Sequence, residues 1–141
     1  MTLPSLDDLL LPYAGRRREA LLPALWDIQT AHGHLSPEAV RALSHTLRVP
    51  EADIYGVISF YSLFHSAPTG ETVIRVCGDP TCGLAGADAL YAAAHARAEG
   101  DPRCAVEHAT CLGLCDLAPA ALVTRRGPGE TLHAGSDGLD A

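Results

Sequence analysis

The chain has 141 residues, 48% of them hydrophobic, and a formal net charge of -7 from ten basic and 17 acidic residues. Every basic residue other than histidine is an arginine, which excludes a lysine-bearing phosphate loop and Schiff-base chemistry. The acidic balance argues against nucleic acid or an anionic membrane surface as partner. No apolar run approaches the roughly 20 residues that cross a bilayer, so no direct membrane insertion is expected.

Residues 1–18 place no basic segment ahead of an apolar one, so no secretory leader is expected. The predicted location is cytoplasmic. In that reducing compartment the five cysteines point to metal or redox chemistry before disulfides.

The first half reads as helices. Leu21, Leu22, Leu25 and Ile28, with Trp26 adjacent, predict a helix from residue 16 to about residue 30, closed by Gly33. Ser36 and Pro37 suit the N-cap and first position of a second helix, whose apolar face carries Val40, Leu43 and Leu47. A third helix starts at residues 50–53 and is expected to run through Ile54, Val57, Ile58, Tyr61 and Phe64. Its aromatic residues, Tyr55, Phe60, Tyr61 and Phe64, are read as core. Residues 68–70 form a linker.

The second half changes period. Residues 72–76 are short and β-branched, a strand running directly into Cys77. Residues 84–98 read as one alanine-rich helix, and residues 103–109 as a second strand feeding Cys111. Residues 120–124 and 131–133 read as a terminal hairpin. The order β-α-β-β-β makes the fold class α/β, with a domain of residues 1–67 followed by one of residues 68–141.

Cys77 and Cys82 are separated by four residues, Cys111 and Cys115 by three, and 28 residues lie between the pairs. A 2Fe-2S cluster takes four thiolates, two on each iron, so each pair would clamp one iron from a single loop. Gly78, Gly83 and Gly113 would relieve crowding there and bring backbone amides to the sulfurs. Structural zinc is the competing reading, although it favours tighter C-x2-C knuckles. The C-x-x-C of a redox dithiol is absent, and no C-x-H pair suggests histidine ligation. Cys104 is read as a small buried residue within a strand, and His95 and His108 as ordinary histidines. Residues 83–86 hold half a glycine fingerprint without its context, so no nucleotide motif is visible; if electrons come from NADH through a flavin, another chain must bind both.

On residues 21–40, 54–64, 68–82 and 111–123 the sequence resembles the thioredoxin-like 2Fe-2S subunit of NADH:quinone oxidoreductase (NuoE-type). The same module serves as the gamma subunit of NAD-dependent formate dehydrogenases and the diaphorase subunit of bidirectional hydrogenases. The resemblance implies an N-terminal helical bundle followed by a thioredoxin-like 2Fe-2S ferredoxin domain. It puts Cys77, Cys82, Cys111 and Cys115 at the family's ligand positions. It also implies a partner flavoprotein that binds FMN and NADH, with which the cluster exchanges electrons, and no substrate site on this chain. A free-standing ferredoxin is the alternative role. Residues 136–141 stand where the family's closing helix would begin.

Overall fold

The computed structural model describes residues 4–126 and the backbone of residues 130–134. The chain divides into two compact units, Met1–Pro68 and Thr69–Ala141.

The first unit is helical. A short helix α1 (Leu6–Leu10) starts at Ser5, whose hydroxyl accepts the Asp8 amide, and leads into a 3-10 turn at Leu11–Tyr13. A second 3-10 turn, Arg18–Ala20, runs into α2 (Leu21–His32), so the α-helix proper starts five residues later than the sequence suggests. Gly33 closes α2 at φ 80°, a left-handed geometry that suits a residue without Cβ. Helix α3 (Pro37–Leu47) opens as expected: the Ser36 hydroxyl accepts the Ala39 amide at 3.2 Å and proline fills the first position. Helix α4 spans Glu51–Phe60. Leu25, Ile28, Leu35, Val40, Leu43, Leu47 and Ile54 form the fully buried centre of this unit.

Two expectations about α4 are corrected. The helix ends at Phe60, because Tyr61 turns to an extended backbone (φ -91°, ψ 110°). A side chain from α2 holds the chain that follows. The Gln29 amide donates to the Leu63 carbonyl at 2.6 Å and accepts the His65 N–H at 2.7 Å. These bonds supply partners that a continuing helix would otherwise provide. The shorter helix leaves Phe60 79% exposed, with Tyr55 and Tyr61 also exposed, so only Phe64 of the aromatic group packs against the core. The rings make an edge-on series instead, Phe60 to Tyr61 at 5.0 Å and Tyr61 to Phe64 at 6.1 Å.

The second unit is a four-stranded sheet in the order β2-β1-β3-β4. Its strands are β1 (Thr72–Cys77), β2 (Cys104–Ala109), β3 (Ala120–Arg125) and β4 (Glu130–Ala134). β1 and β2 are parallel, as a helical crossover requires, and the other pairings are antiparallel. The crossover is two helices, not the single one expected: α5 (Pro80–Leu84) and α6 (Ala87–Ala98). Gly86, at φ 99°, breaks the run, and its N–H bonds back to the Gly83 carbonyl. Ala87, Leu90 and Ala94 are the buried positions of α6. Where the chain enters β1, Gly70 lies against the Arg103 backbone so closely that a Cβ would stand 2.4 Å from its carbonyl oxygen. The Ala118–Pro119 peptide is cis, just ahead of β3. Residues 127–129, the tip of the expected hairpin, and residues 135–141, where a closing helix would begin, lie outside the described residues.

Candidate metal centre

The cysteine loops leave the sheet at one end. β1 finishes in Cys77, whose register partner on the parallel neighbour β2 is Ala109. The ladder continues one step further, because the Gly78 N–H donates to the Ala109 carbonyl at 2.9 Å. Parallel neighbours must end side by side, so residues 78–82 and 110–115 start from adjacent points. Proline at the first position of α5 sets the turn that carries Cys82. Cys115 begins a 3-10 turn, Cys115–Leu117.

The two pairs differ in surroundings. Cys77 and Cys82 are buried, packed with Val76, Ala87, Leu90, Ala120 and Ala121. Cys111 and Cys115 are exposed, their sulfurs 3.9 Å apart, and none of the five cysteines is in a disulfide. Burial pushes the Cys82 thiol above its ordinary range, and the Cys77 and Cys111 sulfurs add to the push. The Cys115 thiol is raised chiefly by Cys111, with smaller contributions from Cys82 and Cys77. Each pair therefore lies within electrostatic reach of the other. Among the described residues no three Cys, His, Asp or Glu side chains close on one point as a single-ion site does. Two pairs are the division that a two-iron cluster asks for.

Protein atoms alone do not crowd these glycines. A Cβ at Gly83 or Gly113 would meet no protein atom within 4 Å, and one at Gly78 would make ordinary contacts. Gly113 is required by its conformation, φ 76°, which brings its own N–H to the Cys111 sulfur at 3.4 Å. Amide donors of this kind stabilise an anionic sulfur.

Cys104 is half-buried, not fully buried, and its thiol is raised by desolvation. It stands at the opposite end of β2 from Ala109, about 16 Å away by strand rise, too far to join the pairs. It lines an apolar groove of about 670 Å³ beside α6, with Arg97 and Asp101 among the other lining residues. His95 is exposed, and His108 stacks on Tyr91 with ring centroids 3.9 Å apart. Sequence reasoning missed Arg75, a buried charge on β1 two residues before Cys77. An arginine inside an otherwise β-branched strand was the available signal.

Comparison with known proteins decides the family. Residues 6–133 match the model of the thioredoxin-like [2Fe-2S] ferredoxin family. The chain belongs to that family. The thioredoxin-like ferredoxin fold is thus the fold of this chain, and a 2Fe-2S cluster is its cofactor. Two pairs of free thiols, with an amide donor at one sulfur, match in number and kind the four thiolates that such a cluster takes. The chain is 33% identical over 134 residues to a subunit of the NADH-quinone oxidoreductase of Rhizobium meliloti, covering 89% of this chain and 77% of that protein. It is 32% identical over 114 residues to the corresponding NADH-quinone oxidoreductase subunit of Mycobacterium tuberculosis, covering 76% of this chain. It spans only 45% of the length of that mycobacterial relative. A solved NAD+-reducing [NiFe]-hydrogenase in its H2-reduced state matches with a TM-score of 0.64 and 29% identity. That match covers 77% of this ferredoxin-family chain and 19% of the hydrogenase chain.

Proposed function

We propose that this chain is the electron-transfer subunit of an NADH:quinone oxidoreductase, with Cys77 and Cys82 on one iron of the cluster and Cys111 and Cys115 on the other. Its electrons come from the FMN of a partner flavoprotein that also binds NADH. The observation that supports the reading is that β1 and β2 end side by side, so the loops carrying the two thiol pairs start from adjacent points. Residues 68–141 form the cluster domain and residues 1–67 a helical domain, and the assembly works on the cytoplasmic side. Among the described residues no helix is long and apolar enough to cross a membrane. The likeness to the hydrogenase chain favours a second reading, the same role beside a hydrogen-oxidising enzyme.

When bound, the cluster takes up or gives one electron at a time. The chain's own residues provide the rest. The buried pair sits on an apolar bed that excludes water, the exposed pair lies at the surface where a partner can approach, and the Gly113 N–H steadies Cys111. No substrate site is needed, because NADH delivers a hydride, a two-electron unit that a flavin must split.

Two experiments test this together. Holo-protein mixed rapidly with NADH should keep its visible absorption until a flavoprotein partner is added; bleaching without partner or flavin would defeat the proposal. Serine at any of Cys77, Cys82, Cys111 or Cys115 should abolish or strongly alter the reduced-state paramagnetic signal, while Cys104→Ser leaves it unchanged. Loss of the signal in Cys104→Ser alone would overturn the ligand assignment.

A further inference from the structure

Arg75 is the one charged side chain among the described residues that is buried, 3% exposed, on the strand that delivers Cys77. Strand rise puts its Cα about 7 Å from that of Cys77. Its Nε lies 3.4 Å from the Glu107 carboxylate, and its Nη1 donates to the Thr124 hydroxyl at 2.9 Å. Glu107 is its register partner on β2, four residues before Cys111. The two charges thus stand side by side, each on a strand that feeds one cysteine pair. They are not equally solvated: the Arg75 side chain is 4% exposed and that of Glu107 is 28% exposed.

We propose that this ion pair sets the reduction potential of the centre, Arg75 raising it and Glu107 lowering it. The inference rests on the cysteine ligand assignment given above. A centre of two ferric irons, two sulfides and four thiolates is already anionic and gains a further negative charge on reduction. A fixed cation close by favours the reduced form, and an anion disfavours it. Both effects are strongest where water does not screen them. Arginine keeps its charge at every accessible pH, so its contribution is constant. The drier guanidinium carries the larger influence of the two.

The test uses holo-protein with Arg75→Met, Arg75→Lys, Glu107→Gln and Cys77→Ser. Iron and sulfide content and the reduced-state paramagnetic spectrum establish that the charge variants hold the same centre. A potentiometric titration followed by visible absorption then reads the potential. Arg75→Met should shift it down, Glu107→Gln should shift it up by a smaller amount, and Arg75→Lys should stay near wild type. A pair that only braced the strands would weaken stability in both variants without moving the potential in opposite directions. Shifts of the same sign, or none, overturn the proposal. If Arg75→Met does not fold, Glu107→Gln decides alone: an upward shift supports the inference, and a downward or absent shift overturns it. Cys77→Ser separates the two layers. An unchanged spectrum there removes the ligand assignment and this inference with it. An altered spectrum with no opposed shifts defeats the electrostatic role only.

Discussion

Tyr13 illustrates how one side chain ties distant parts of the helical unit. Its hydroxyl donates to the Asp27 carboxylate at 2.6 Å, joining the turn after α1 to the middle of α2. That bond, followed by burial, pushes the Tyr13 pKa up to about 12. Because the folded value lies above the unfolded value, near 10, the bond contributes fully below about pH 10. Its contribution is lost as pH rises toward 12, where the unfolded chain releases the proton first. Thermal unfolding followed between pH 9 and 12 should therefore show a decline in stability that is shallower in Tyr13→Phe. At neutral pH the same substitution should cost about 1 kcal/mol, the net value of a typical hydrogen bond. An equal slope in both proteins would show that Tyr13 does not titrate in this way.

At the scale of elements, two glycines predict opposite outcomes for one substitution. Gly56 lies inside α4, and a Cβ there would meet nothing within 4 Å. Gly56→Ala should stabilise the protein by about 0.5–1 kcal/mol, since alanine restricts the unfolded chain and favours the helix. Gly70 packs against the Arg103 backbone at the entrance to β1, where the Thr72 N–H also reaches the Arg103 carbonyl at 2.9 Å. A methyl group there must displace backbone, so Gly70→Ala should destabilise by about 2 kcal/mol, the usual scale of overpacking. Urea unfolding of the two variants compares them directly. A stabilised Gly70→Ala would mean that the start of the strand yields at no cost.

For the whole molecule the consequential feature is that each unit has its own core. Metal–thiolate bonds would join loops that lie 28 residues apart in the sequence, all within the second unit. The binding energy of such a site is also folding energy. Loading the cluster should thus raise hydrogen-exchange protection in β1, β2 and the cysteine loops far more than in α2, α3 and α4. Exchange measured on apo and holo protein checks this, and an equal gain in both units would count against two independently stabilised parts.

Much of this was legible in the sequence because the signals are local. The caps at Ser36 and Gly33 depend on residues within one turn, and the β-branched run at residues 72–76 carries its own period. The cysteine spacing identified both pairs and, with the flanking segments, the family. The tertiary structure decided what depends on partners far along the chain. Helix α4 stops where Gln29, more than 30 residues earlier, captures the Leu63 carbonyl and the His65 N–H. Arg75 is buried because Glu107 and Thr124 arrive from neighbouring strands to meet it. Cys104 is set apart from the other cysteines by strand register, while Cys77 and Ala109 are paired by it. Spacing says which residues are close along the chain, but only the sheet brings the ends of β1 and β2, from which the two cysteine loops start, side by side.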